Sequence, residues 1–263
     1  MSLVLENLRR DARMRFETDS EMSAGWVAIP LLSIGAATSL FIAYFFYFIP
    51  LVFTIQTNPA AQFAVIGGFF AILGIIILVL IASAIVFTVM TYKLVKRRNT
   101  HFNRQSFLYE DLTNLVKEVA SKKGVDVSLP VNNLDRTLRE ARIDETEKSA
   151  ALWAILSLIT GLAVLYVYYF LMKDFFKHER REDAFIEDLN RAFAATGVSV
   201  NLPRRSYPIP DRSFVLYFIL SIITVGIFSV YWIYVLLTDP NSHFRQQALI
   251  EDTVVAQFAP ILA

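Results

Sequence analysis

The sequence predicts an all-α multipass membrane protein, and three observations carry that reading. No charged residue occurs between Glu21 and Lys93, and the windows 149–172 and 213–238 are also free of charge. A spanning helix needs about 20 apolar residues, so the first window holds two long transmembrane helices and each of the others is just long enough for one. In the charged stretches around these windows, apolar residues recur at helical spacing.

Residues 1–24 form an N-terminal amphipathic segment. Leu3, Leu5, Leu8, Ala12 and Phe16 stand against Arg9, Arg10, Arg13 and Arg15. That pattern suits a short helix on a membrane surface, with a solvated tail as the other reading. Residues 25–92 form a transmembrane hairpin. Its first span runs from Gly25 to Thr54, with Pro30 and Pro50 placed to kink or bound it. Gln56-Thr57-Asn58-Pro59 reads as the turn, and the second span runs from Ala60 to Tyr92. Gly67 and Ala71 are four apart, as are Ala64 and Gly68, a spacing that lets helices approach closely. Lys93, Lys96, Arg97 and Arg98 follow at once, which places this edge and the N-terminus in the cytoplasm.

Residues 93–148 form a cytoplasmic helical region. Asn99 or Thr100 can cap a helix whose face is Leu108, Leu112, Leu115, Val116 and Val119. An extended Gly-Val-Asp-Val-Ser-Leu-Pro piece follows at 124–130. Asn133 can then cap a second helix, 134–148, that runs on into the apolar segment 149–172. Residues 173–212 hold a cytoplasmic helix and linker, with Gly-Val-Ser-Val-Asn-Leu-Pro at 197–203. The apolar segment 213–238 precedes a C-terminal amphipathic helix, 239–263, in which Asp239-Pro240 reads as an N-cap and first helical residue.

One phrase occurs three times. Tyr92, Tyr169 and Tyr234 are each followed nine residues later by a His (His101, His178, His243), and then by the acidic pairs Glu110-Asp111, Glu187-Asp188 and Glu251-Asp252. The chain has three His, all at this place, which reads as an internal repeat. His101 and Glu110 cannot share an ion: nine helical residues turn about 900°, to opposite faces, and rise roughly 13 Å. What remains is convergence between units, with His101, His178 and His243 meeting on a pseudo-threefold axis as in some zinc sites. The plainer reading makes each His an amphipathic residue of the membrane interface beside Arg104, Arg181 or Arg245, and each acidic pair a solvated or salt-bridging face. Aromatics gather at the segment ends, where Trp26, Tyr92, Tyr169, Trp232 and Tyr234 fit the headgroup layer as anchors.

The stretch Leu220-Ser221-Ile222-Ile223-Thr224-Val225-Gly226-Ile227-Phe228-Ser229-Val230-Tyr231-Trp232-Ile233-Tyr234 resembles the signature of a prokaryotic membrane domain, domain of unknown function 4234. The resemblance covers about 210–255. Residues 150–190 are similar to a degenerate copy that lacks one residue before Gly161 and lacks the Trp. It implies membrane location and repetition, and no activity.

Two topologies follow. If 149–172 and 213–238 each cross once, 173–212 lies outside. If each is a re-entrant hairpin broken near Gly161 and Gly226, every polar segment stays in the cytoplasm. Lys and Arg number 12 in 93–148 and 8 in 173–212, and similar helices after similar segments belong on one side, so the hairpin is preferred. The short half-helices weigh against it, since protein must satisfy the backbone at each break.

Function is bounded mainly by exclusion. A net charge of +1 offers no basic excess for nucleic acid. Without Cys there is no disulfide, thiolate metal site or cysteine nucleophile. The membrane windows hold no ionisable side chain of the kind coupled carriers use. No phosphate-binding loop, His-Glu-x-x-His or Gly-x-Ser-x-Gly is present. The expectation is a non-enzymatic structural or interaction protein of the cell membrane, without a cofactor or an assigned metal site. Its partners are the lipid bilayer and a second copy or another membrane protein. A lipid-binding or membrane-remodelling protein and an oligomeric pore are the alternatives.

Overall fold

The computed structural model describes residues 3–58, 60 and 62–262, and among them all regular structure is helical. Helix α1 spans Leu3–Thr18. A 3₁₀ turn, Ala24–Val27, capped by the Ser23 hydroxyl, leads into α2 (Ala28–Ala43), a π turn (Tyr44–Phe48) and α3 (Ile49–Thr57). Pro50 stands at the start of α3. In a regular helix its ring would meet the carbonyl four residues back, that of Phe46, and the wider π turn relieves that collision. Pro59, part of the expected turn, lies outside the described residues.

Helix α4 runs unbroken over Gln62–Lys123, 62 residues, or about 93 Å at 1.5 Å per residue. The helix start expected at Asn99 or Thr100 is absent. Between Gly74 and Gly124 the chain has neither Gly nor Pro, so nothing local stops the helix. The two side chains taken for caps bind other segments. Asn99 Nδ2 donates to the Lys148 carbonyl at 2.6 Å, and the Thr100 hydroxyl donates to the Thr18 carbonyl at 2.9 Å.

Helix α5 (Ser128–Asp144) starts earlier than expected, because the Asp126 carboxylate accepts the Ser128 N–H at 2.9 Å. Asn133 is therefore interior to the helix. It also does not run into the apolar segment: a turn intervenes, and the Ser149 hydroxyl caps a new helix, α6 (Ala150–Thr160).

Both shorter apolar segments are helical hairpins. Helices α6 and α7 (Ala163–Ala195) break at Gly161, where φ is 64°. Helices α8 (Phe214–Ile223) and α9 (Ile227–Leu262) break at Val225 and Gly226, where φ is 51° and 88°. Positive φ is routine for Gly alone, so these glycines are what lets the chain reverse. The Thr just before each break completes the turn: Thr160 Oγ1 accepts the Ala163 N–H, and Thr224 Oγ1 accepts the Phe228 N–H. The two arms of each hairpin then lie side by side, Trp153 on Tyr166 and Tyr217 on Phe228.

Beyond the hairpins α4, α7 and α9 run parallel. Residues at equal offsets from the three His are buried together. Met90, Val167 and Trp232 stand eleven before, and Leu94, Leu171 and Leu236 seven before. Leu108, Phe185 and Ile250 stand seven after, and Leu112, Leu189 and Val254 eleven after. This alternation of three and four residues is the coiled-coil seam spacing. Each groove around the three helices is filled. Helix α1 packs on α4 and α9, and α5 packs on α4 and α7. The linker 198–212 lies on α7 and α9, with Leu202 N–H on Asn190 and Asn201 N–H on Gln257.

The apolar face of α1, expected on a membrane surface, belongs to this bundle: Leu5 and Leu8 sit in the main core, while Leu3 and Phe16 are exposed. Asp11 of α1 is also buried, against Asp111 of α4. Burial and the neighbouring Asp11 carboxyl raise Asp111 to about 6. The unfolded value is near 3.8, so the stability this group contributes is present below that pH and is lost as pH rises through 6. The chain in detergent should hold α1 more tightly at pH 5 than at pH 7.5, seen as slower proteolysis at Arg9 and Arg13. Asp111→Asn should remove the difference.

Candidate metal centre

The three His of the repeated phrase, read either as separate interface residues or as converging between units, meet inside the bundle. The reason is the seam: equal offsets on parallel helices reach equal height, and His occupies a seam position in all three. Their side chains are 0%, 1% and 0% exposed. Ring centroids form a nearly equilateral triangle, with 5.1 Å from His101 to His178, 5.0 Å from His101 to His243 and 5.4 Å from His178 to His243. One ring nitrogen from each lies within 4.8 Å of the other two. Phe102, Phe175 and Phe244 cluster beside the rings.

Each Nδ1 faces a carboxylate: His101 on Asp19 at 2.9 Å, His178 on Glu145 at 3.0 Å, and His243 on Glu179 at 2.9 Å. An ionised carboxylate only accepts, so Nδ1 carries a proton, and in the neutral ring Nε2 then keeps its lone pair. The His101 and His243 Nε2 atoms are 3.0 Å apart, and the buried His178 Nε2 has no partner. Two lone pairs at that distance repel unless a proton or cation lies between them.

The carboxylates are themselves held. Arg104 bonds Asp19 and Glu251, each at 2.7 Å. Arg181 bonds Glu145 and Asp144. Four residues after each His comes a second buried polar layer, Gln105, Glu182 and Gln247. Gln105 Nε2 donates to Glu182 at 2.7 Å, and Arg205, from the linker, donates to both Glu182 and Gln247. Arg205 also bonds Asp183 and lies 3.8 Å from Glu179.

Burial and neighbouring charges compete at this layer. Burial lowers His101 to about 4, against the pull of Asp19, and with Arg205 nearby it puts His243 well below the usual imidazole range. Burial alone would raise Asp19, but His101 and Arg104 outweigh it and hold the carboxyl well below its ordinary value. Glu145 is likewise lowered, with His178 and Arg181 overcoming burial. Glu179 is raised by burial, against Arg205. Neutral imidazole is the metal-binding form of His. The layer has no solvent-facing nucleophile and no exposed ring, so it suits holding an ion better than turning over a substrate.

The acidic pairs serve other contacts. Glu110 pairs with Arg142 of α5 and Glu187 with Arg191. Asp252 pairs with Arg15 of α1, while Glu251 is buried on Arg104. Of the expected anchors, Tyr92, Tyr169 and Tyr234 are exposed, and Trp26 is half-buried under Lys93. Trp232 is a correction. It is 1% exposed, its indole N–H points at the Met172 sulfur, and its ring packs against Tyr168 and edge-on to Tyr217, so it cannot reach a headgroup. Arg97 and Arg98, read as part of a charged edge, are buried in the bundle. Arg97 donates to the Leu236 carbonyl at 2.5 Å, and Arg98 bonds Asp174 at 2.8 Å.

Sequence reasoning missed Asp19, Glu145, Glu179 and Arg205, which lie at unrelated offsets from the repeated phrase. The layer of Gln105, Glu182 and Gln247 did leave a signal: a polar residue at one seam position of every unit.

The fold thus defines an all-helical chain with two helical stretches, Ala24–Thr54 and Gln62–Lys123, long and apolar enough to cross a membrane. Residues 212–261 match the family model described as a domain of unknown function, DUF4234; the match takes in α8, its turn and most of α9, His243 included. No curated protein and no solved structure matches the chain.

The Arg205 side chain is 2% exposed and neutralises buried acids. Arg205→Met should therefore cost about 3–5 kcal/mol, the usual result of stranding a buried charge, read as denaturant unfolding in detergent. Adding Glu182→Gln to that variant should restore part of the loss.

Proposed function

We propose that the chain is an integral membrane scaffold. Two long helices anchor it, α6–α7 and α8–α9 enter the membrane from one side as re-entrant hairpins, and the polar helices form one bundle on the cytoplasmic face. The observation that carries this reading is the shared core of α4, α7 and α9 at and beyond the three His. A single crossing by 149–172 would put 173–212 about 30 Å of hydrocarbon away from 93–148, and no common core could form. Helices of 11 and 10 residues rise about 15 Å, half a bilayer, and the Thr160 and Thr224 hydroxyls answer backbone N–H groups at the breaks as a re-entrant turn requires.

The repeated unit is, on this reading, a hairpin or span feeding one helix of the bundle. Self-association is supported by the long helices. Little of either span is buried inside the chain, and a Cβ added at Gly67, Gly68 or Gly74 would meet open space. Small residues with nothing against them suit a helix from a second copy or another membrane protein. Lipid binding has one feature in its favour, an apolar groove between α2 and α4 lined by Leu40, Phe41, Tyr44, Phe69 and Leu73.

The chain lacks Cys, so single cysteines report topology cleanly. In intact cells, Asn58→Cys should react with an impermeant maleimide, while Arg204→Cys and Thr253→Cys should react only after lysis. Labelling of Arg204→Cys from outside would sink the re-entrant reading. The mass of the detergent-solubilised chain should correspond to more than one copy, and Gly67→Leu with Gly68→Leu should shift it to the monomer. A monomeric wild type counts against self-association.

A further inference from the structure

We propose that His101, His178 and His243 form a buried binding site for a single divalent transition-metal ion of the zinc class, held through their Nε2 atoms, with Glu182 as the fourth donor.

Geometry comes first. Zinc takes nitrogen at about 2.0–2.1 Å in a tetrahedron, which spaces its ligand nitrogens by roughly 3.3 Å. The His101–His243 spacing is 3.0 Å, and the whole triad lies within 4.8 Å, so closure on an ion takes small side-chain rotations. Glu182 Oε2 is 3.8 Å from His243 Nε2. Gln105 and Arg205 occupy its oxygens, yet a carboxylate offers about four lone-pair sites and retains capacity for an ion.

The surroundings supply the second argument. Metal-bound His characteristically donates its other ring N–H to a carboxylate or carbonyl, which fixes the tautomer and aims the free lone pair. Here all three His do so, onto three separate elements: Asp19 after α1, Glu145 after α5 and Glu179 on α7. Such a set leaves the Nε2 atoms free: those of His101 and His243 face each other, and the buried His178 Nε2, on the third ring of the triad, has no partner.

Charge supplies the third. Four carboxylates face the rings (Asp19, Glu145, Glu179 and Glu182), and three guanidiniums, Arg104, Arg181 and Arg205, are bonded to them. Glu251, on Arg104, is not counted with them, because Arg15 lies 3.9 Å from it and burial raises its carboxyl to about 7. The shell is short of positive charge where burial makes that expensive, and a divalent ion corrects it. Nitrogen and oxygen donors in fourfold arrangement, without thiolate, suit zinc over iron–sulfur or cuprous chemistry. Being closed to solvent, the site is a structural clamp that fastens α4, α7 and α9 to one another.

The test uses the full chain in detergent, purified through a tag free of His. Elemental analysis should find close to one zinc per chain. After chelation and Co²⁺ loading, visible absorption of tetrahedral intensity should appear, and the thermal midpoint should rise with either ion. His178→Ala should lose the bound metal, the Co²⁺ bands and the metal-dependent shift. Because that variant can also fail to fold, Glu145→Gln serves as the second. It keeps every ligand and should bind Co²⁺ about 10–100-fold more weakly, with unchanged far-ultraviolet circular dichroism. The proposal is overturned if folded wild type binds no metal after loading, if His178→Ala binds it equally, or if ¹⁵N-His spectra of the loaded chain show a protonated Nε2 on any of the three rings.

Discussion

A buried polar atom must find its partner within hydrogen-bond reach, and the level of His101, His178 and His243 is where this chain meets that demand most heavily. Apolar seams tolerate small slides, since one methyl replaces another. A layer of imidazoles paired with carboxylates does not, because a slide of even one residue would strand rings and acids in a dry interior. The layer therefore sets the register of α4, α7 and α9. The peripheral segments follow from it: α1 ends where Asp19 can reach His101, α5 ends where Glu145 can reach His178, and the linker crosses where Arg205 can reach Glu179 and Glu182.

The three units are alike in outline and unlike in their polar detail. Two of the His take their carboxylate from the segment filling the neighbouring groove. His243 takes Glu179 from α7 itself, and its groove is filled by a linker that contributes a cation. The difference has a structural consequence: α7 carries both a ring and the acid serving another ring, so α7 and α9 are joined directly at this level. Helices α4 and α9 are joined across it by Arg104 and Glu251.

Much of the architecture was legible in the sequence. Charge-free windows located the membrane-length helices, and Gly161 and Gly226 marked the reversals, because few residues other than Gly accept positive φ. The coincidence of three His at one offset was visible as well, and convergence between units was one of its two readings, but the pattern did not decide between them. Offsets along one helix exclude partners on that helix and say nothing of which helices stand together. The errors share one cause. Asn99 and Thr100 looked like caps, Trp232 like a headgroup anchor, and Arg97 and Arg98 like a charged rim. Each is instead engaged in tertiary contacts, and local pattern does not distinguish a polar residue facing water from one whose partner lies many residues away. Asp19, Glu145 and Arg205 were invisible for the same reason: their roles come from where α1, α5 and the linker are laid down.

The continuity of α4 has a mechanical consequence. From Tyr92 to Lys123 the helix rises about 46 Å beyond the membrane-length span, with no hinge between. A span that tilts to match a thinner bilayer carries that angle with it, and a tilt of about 10° would swing the far end by roughly 8 Å. With α7 and α9 fastened to α4 at the His layer, the bundle turns with the long helix, and on the membrane topology proposed above its angle to the membrane plane follows that helix's tilt.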